Sequence, residues 1–248
     1  MYAAIKLLTE DDSYTNDSLR SALVERKNLG ANQPDSEEGA EDVIKELQNA
    51  LLLLEDDDNI RLTADADVTH NSELLYSGKE VSESIQAADD TEAYERILTN
   101  LTYAHPELLS IAKEVYRNKP LEKYEIKRQL AGLDPFGNKL NDFTIDVGIN
   151  LLTDADVLRK TDRGYVDGTC PITLLAHILY EEYEAITGND NGVTEQELFE
   201  RLELMYGVEK STFEKHLSRL ERAGFVTPSS YGELTIDKDA FTSARIHE

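Results

Sequence analysis

Thr194–Asp237, TEQELFERLELMYGVEKSTFEKHLSRLERAGFVTPSSYGELTID, is the stretch whose reading decides the fold. Thr194-Glu195-Gln196-Glu197 has the form of a capping box, in which hydroxyl and carboxylate satisfy free N–H groups at a helix start. Leu198, Leu202 and Met205 give that helix one apolar face, and Gly207 stops it. Phe213, Leu217 and Leu220 then recur at helical spacing, and Gly224 stands where a left-handed C-terminal cap belongs. Phe225-Val226 and Leu234-Thr235-Ile236 read as two short strands around the turn Thr227–Gly232. The order predicted is helix, tight turn, helix, two-stranded ribbon.

The composition bounds what surrounds this stretch. A chain of 248 residues, 40% hydrophobic, has room for two or three small domains. No window approaches the roughly 20 uninterrupted apolar residues of a membrane span. Met1–Leu8 is too short and too soon followed by acid for a secretory signal, so an intracellular, cytoplasmic protein is expected. The lone Cys170 excludes an intrachain disulfide and a cysteine-based zinc cage. Fifty acidic residues against 25 basic ones leave a net charge of −25. Such even acidity with modest lysine resembles the proteins of salt-loving archaea; the alternative is a mesophilic protein that mimics nucleic acid or avoids it. At 1 M salt the Debye length is only about 3 Å, so self-repulsion is largely screened. In that medium net charge is no clean bar to DNA binding.

Working outward, the same order recurs. Pro171–Thr187 opens the last unit, with Ile172, Leu175, Leu179 and Tyr183 on one face. Upstream, helices are expected at Leu121–Leu130 and at Phe143–Leu152, the latter turning Val147, Leu151 and Leu152 inward. A hairpin through Val157-Leu158 and Tyr165-Val166 follows them. Earlier still, Tyr2–Leu8, Asp17–Lys27 and Ala40–Leu54 read as helices, the third carrying Val43, Leu47, Leu51 and Leu54. The acidic turn Glu55–Asn59 and the strand Ile60–Leu62 come next. Leu-Leu-Thr-Asp-Ala-Asp-Val-Leu at 151–158 echoes Leu-Leu-Glu-Asp-Asp-Asp-Asn-Ile at 53–60. The organisation predicted is a first unit at 1–67, a connector at 68–90, and a second unit at 91–168 with extra N-terminal helices. A C-terminal unit at 169–240 and a tail at 241–248 complete it.

The run Ser211-Thr212-Phe213-Glu214-Lys215-His216-Leu217-Ser218-Arg219-Leu220-Glu221-Arg222-Ala223-Gly224-Phe225-Val226 resembles the recognition helix and first wing strand of the winged helix-turn-helix superfamily. The resemblance is closest over about 171–237 and looser in the two earlier units. It implies a mainly α fold with small β-hairpins, built from tandem winged-helix domains. In that superfamily the second helix of the motif enters the major groove, although winged helices also serve as protein-binding modules.

Phe213, Leu217 and Leu220 are read as inward, leaving Lys210, Ser211, Thr212, Lys215, His216, Arg219 and Arg222 as candidate DNA contacts, with Ser230 in the wing. Arg and Lys suit guanine, while Ser and Thr can bond bases or phosphates. The helix sets four basic residues against Glu209, Glu214 and Glu221, a local relief from acidity; the bland alternative is a solvated, mixed-charge face. Charge is uneven along the chain: residues 1–112 carry 8 basic and 25 acidic side chains, residues 113–163 carry 10 and 9. Within the latter, Arg159, Lys160 and Arg163 are candidate phosphate contacts, as are the basic residues of 113–128, unless they pair with acidic neighbours or a protein.

Catalytic patterns are missing. There is no P-loop and no G-x-G-x-x-G. The five histidines have no i, i+4 pair, and no cofactor or metal is expected. Carboxylate pairs such as Asp154/Asp156 arise by chance when one residue in five is acidic. Two functions fit: a non-enzymatic DNA-binding protein, probed by duplex binding, and a protein-binding adaptor of a replication, segregation or defence assembly, probed by co-purification. Self-association is compatible with either, and no membrane is expected as partner.

Overall fold

The computed structural model describes residues 1–11, 14–26, 34–68, 74–130, 140–187, 192–229 and 232–237. In chain order the elements are α1 (Tyr2–Glu10), β1 (Tyr14–Thr15), α2 (Asn16–Glu25), α3 (Glu37–Asn49), β2 (Leu53–Asp56) and β3 (Asn59–Leu62). Next come α4 (Asp65–Val68), α5 (Gly78–Gln86), α6 (Asp90–Ala104), α7 (Glu107–Asn118), α8 (Lys123–Leu130), α9 (Asp142–Asp154), β4 (Leu158–Thr161) and β5 (Gly164–Asp167). The chain continues through α10 (Ile172–Thr187), β6 (Val193–Thr194), α11 (Glu195–Tyr206), α12 (Lys210–Arg222), β7 (Val226–Pro228) and β8 (Glu233–Ile236). The fold is mainly helical with small antiparallel sheets. Two compact units divide it, Met1–Ala104 and His105–Glu248.

One plan appears three times: a helix, a short strand, two helices and a hairpin. The short strand pairs with the hairpin's second strand, giving the orders β1-β3-β2 and β6-β8-β7. In the middle repeat Leu121 alone plays the short strand, exchanging hydrogen bonds of 3.0 and 2.7 Å with Tyr165 of β5. One residue facing the short strand is buried each time, Ile60, Tyr165 and Leu234 in turn. The second helix then starts on a side-chain cap. Thr15 accepts from Ser18 N–H, Thr194 forms the expected capping box with Glu197, and the Glu125 carboxylate accepts from Glu122 N–H.

The third helices α3, α9 and α12 are each 13 residues long. Aligned end to end, their fourth, eighth and eleventh positions are all buried: Ala40, Ile44, Leu47; Ile145, Ile149, Leu152; Phe213, Leu217, Leu220. Each helix ends in the same knot. Ala50, Ala155 and Ala223 take the C-cap, and Leu51 (φ 57), Asp156 (φ 56) and Gly224 (φ 77) turn left-handed. The next N–H then bonds back to the leucine carbonyl five residues earlier: Leu52 to Leu47 at 2.9 Å, Val157 to Leu152 at 2.8 Å, Phe225 to Leu220 at 3.0 Å. This is the Schellman arrangement with its apolar contact, written in the sequence as Leu-x-x-Ala-x-apolar. The echo between 151–158 and 53–60 therefore joins unlike elements, a helix end and a hairpin; 46–53 is the equivalent stretch.

Other expectations shift for related reasons. The helix predicted over Ala40–Leu54 runs from Glu37 to Asn49, because the left-handed Leu51 ends it and Leu53 and Leu54 join β2. Val147, read as inward, is 40% exposed, and Ile145 and Ile149 take the core side. The stretch expected as a connector contains α5, opened by a capping box of Ser77 and Glu80. The contacts break at 104/105, away from the boundaries expected at 67, 90 and 168. α5 and α6 belong to the first unit for a visible reason. Asn100, fully buried on α6, donates to the Ala50 and Tyr76 carbonyls at 2.8 Å each and accepts from Tyr76 N–H at 3.0 Å. The Thr63 hydroxyl joins Leu51 to Gly78, where a Cβ would run into the Leu52 carbonyl. Of the loops expected at Asn28–Gly39, Gly132–Asn138 and Gly188–Gly192, residues 28–33, 132–138 and 188–191 lie outside the described residues, as does the tail 241–248, and Glu37–Gly39 belong to α3.

Candidate nucleic-acid interface

α12 is held by its apolar stripe. Phe213 packs its ring 5.4 Å from that of Phe199 on α11, and Leu217 and Leu220 are buried beside it. His216 belongs to this stripe. The helical period puts position seven next to position eight, and its equivalents Val43 and Gly148 also face inward or partly so. The ring is 3% exposed and its Nε2 donates to the Cys170 carbonyl at 2.9 Å. His216 is therefore removed from the outward set.

The remaining candidates on α12 reach the surface to different degrees. Lys210, Ser211, Lys215 and Arg222 are exposed, and Thr212 is half-buried. Lys210 lies 3.7 Å from Glu214 one turn on, and Arg222 Nε donates to the Ser218 carbonyl at 3.2 Å. Arg219 is partly buried. Loss of hydration, then the neighbouring Arg222 charge, pull its guanidinium down to about 10, which still leaves it cationic at neutral pH. Ser230 lies outside the described residues.

The middle repeat offers a smaller basic surface than its composition promised, because most of its cations are neutralised. Lys113 meets Glu181 at 2.7 Å, Lys123 meets Asp146 at 2.9 Å, and Lys127 meets both Asp146 and Asp142. Arg159 forms a fork with Asp156, two bonds of 2.9 Å, which holds that carboxyl below the usual range. Lys160 and Arg163, near the tip of the β4–β5 hairpin, are exposed and have no ion pair among the described residues.

The outward sixth position of the three matching helices is exposed in each case and differs in kind: Asp42 on α3, Val147 on α9, Lys215 on α12. α3 surrounds its aspartate with Glu37, Glu38 and Glu46, and the following hairpin adds Glu55, Asp56, Asp57 and Asp58. α3 exposes one cation, Lys45, which pairs with Glu41 at 2.7 Å, whereas α12 exposes Lys210, Lys215 and Arg222.

A polar seam joins the middle and last repeats. Lys119, just after α7, pairs with Asp167 at the end of β5 at 2.6 Å and donates to the Tyr206 carbonyl at 2.9 Å. A cation there complements the C-terminal pole of α11. The Tyr206 hydroxyl donates to the buried Glu182 at 2.8 Å, and Arg201 pairs with the same carboxylate. Sequence reasoning missed this network, since residues 19 to 87 positions apart are joined only by the fold.

No group of histidine, cysteine, aspartate and glutamate suited to a metal ion occurs among the described residues, and Cys170 is buried. None of the described helices is long and apolar enough to cross a membrane. The described residues thus form a mainly helical protein in which α12 exposes Lys210, Lys215 and Arg222. No protein-family model, curated protein or solved structure matches the chain.

Proposed function

We propose that the three repeats are winged-helix units and that the protein is a non-enzymatic, duplex DNA-binding factor acting through α12. What carries this reading is the outward face of α12, where Lys210, Ser211, Lys215 and Arg222 stand exposed, while α3 presents mostly acid with its one lysine, Lys45, paired to Glu41, and α9 holds no lysine or arginine. The repeated helix–strand–helix–helix–hairpin order supports it. In such a motif the corresponding helix lies in the major groove, with the hairpin along the backbone. Lys160 and Arg163 would contact phosphates without reading sequence.

Salt dependence of duplex binding tests the proposal, measured by fluorescence anisotropy in a potassium chloride series. Lys215→Ala and Arg222→Ala should each reduce the slope of log K against log salt by about 1. An unchanged slope, or no binding at any salt, overturns it. A second reading, a protein-binding adaptor, is favoured by the acidic α3 and β2–β3 surface, which fits a basic protein partner. Retention of one stoichiometric partner, lost on reversing Glu38 and Asp42 to lysine, would distinguish it.

A further inference from the structure

α12 is tied to the middle repeat near the end of β5 at two points, one through the end of α11 that leads into it and one directly. At its start, Lys119 grips Asp167 at the end of β5 and the Tyr206 carbonyl, three residues before the helix contributes Glu209 as its N-cap. The fit there is close: a Cβ on Gly207 would lie 2.6 Å from Lys119 Nζ. At mid-helix, the buried His216 donates to the Cys170 carbonyl, three residues beyond Asp167. Asp167 in turn pairs with Leu158 at the base of the hairpin whose far end carries Lys160 and Arg163. Strands rise about 3.4 Å per residue, so the hairpin tip stands only about 10 Å from this fastened base.

We propose that Lys119 and His216 are positioning residues that lock α12 to the base of the β4–β5 hairpin, so that both cationic elements engage one DNA duplex as a single surface. The proposal rests on the DNA-binding reading above. It adds that the hairpin's contribution depends on the lock, because a hairpin held within its own repeat by Leu121 but not fastened to α12 would lose its fixed orientation toward the duplex held by α12. His216, chemically suited to contact a base, instead sets where the helix stands.

The test is the salt slope for the full chain on a random duplex, with the hairpin cations removed in two backgrounds. In the wild-type protein, Lys160→Ala with Arg163→Ala should lower the slope by about 1.8, at ~0.9 per phosphate contact. In Lys119→Met the same pair should change it by well under half that amount. Lys119→Arg, which keeps the cation, should restore the wild-type response. Should Lys119→Met not fold, Asp167→Asn removes only the anion and carries the same comparison. Equal losses in both backgrounds would show a hairpin acting without the lock and overturn the proposal. So would hairpin substitutions that leave the wild-type slope unchanged while Lys215→Ala still lowers it, an outcome in which DNA binding by α12 survives. Absence of any duplex binding removes both readings together.

Discussion

Asn100 shows how much a single buried amide can organise. Its three hydrogen bonds reach the C-cap of α3 and both sides of the Tyr76 peptide. Asn100→Ala orphans those groups, and each buried polar group left unpaired costs about 1–3 kcal/mol. A loss of about 3 kcal/mol is expected in urea unfolding of the full chain. Two glycines separate conformation from space. Gly224 has φ 77 with nothing near its missing Cβ, so Gly224→Ala should cost about 1 kcal/mol through backbone strain alone. Gly78 abuts the Leu52 carbonyl; alanine there displaces backbone and should destabilise more. Asp67 brings in pH. Its carboxylate accepts from the Ala64 N–H at 2.7 Å and from Arg61 at 3.1 Å, which hold it below the ordinary range. Its stabilisation is present above the unfolded value of about 3.9 and is lost as pH falls through the lower folded value. Asp67→Asn should therefore flatten the acid side of the stability–pH curve below about pH 4.

At the scale of elements, helices were legible where periodicity and caps agreed. Thr194 and Glu197 marked the start of α11, and Gly207 and Gly224 its end and that of α12, because each carries a local stereochemical reason. Thr194→Ala should cost about 1 kcal/mol, read from the thermal midpoint. What misled was a helical apolar spacing continued past a stop. Leu51 and Leu54 kept the period of α3, yet a left-handed leucine gives no warning in sequence comparable to a glycine. The Leu-x-x-Ala-x-apolar signature was present three times and could have set the register. The candidate face was legible for Lys210, Ser211, Lys215 and Arg222, but not for His216, since a polar residue beside a buried leucine reads as surface until its carbonyl partner is seen. For Lys113, Lys123 and Lys127 the sequence left pairing with acidic neighbours open but did not identify the partners, because opposite charges on neighbouring helices meet only after folding.

The whole molecule divides where backbone caps, not composition, place the division. A fragment ending at residue 67 lacks Gly78 and Asn100, which complete the bonds around Thr63 and Ala50. Residues 1–104 should unfold cooperatively in denaturant, whereas 1–67 should not. The net charge of −25 makes a second global expectation: moving from dilute to molar potassium chloride should raise the thermal midpoint, as screening relieves repulsion faster than it weakens exposed ion pairs. A fall on adding salt would argue against the halophilic reading. The shared ending of α3, α9 and α12 has a further bearing. Whatever halts these helices sits beneath them, in a leucine, an alanine and a crossed pair of amide bonds, so the side chains facing water have no vote in where the chain turns. Outer faces can then be rewritten like labels on identical cartridges, and transplanting the exterior of α12 onto α9 becomes a practical way to ask whether the proposed DNA contact moves with it.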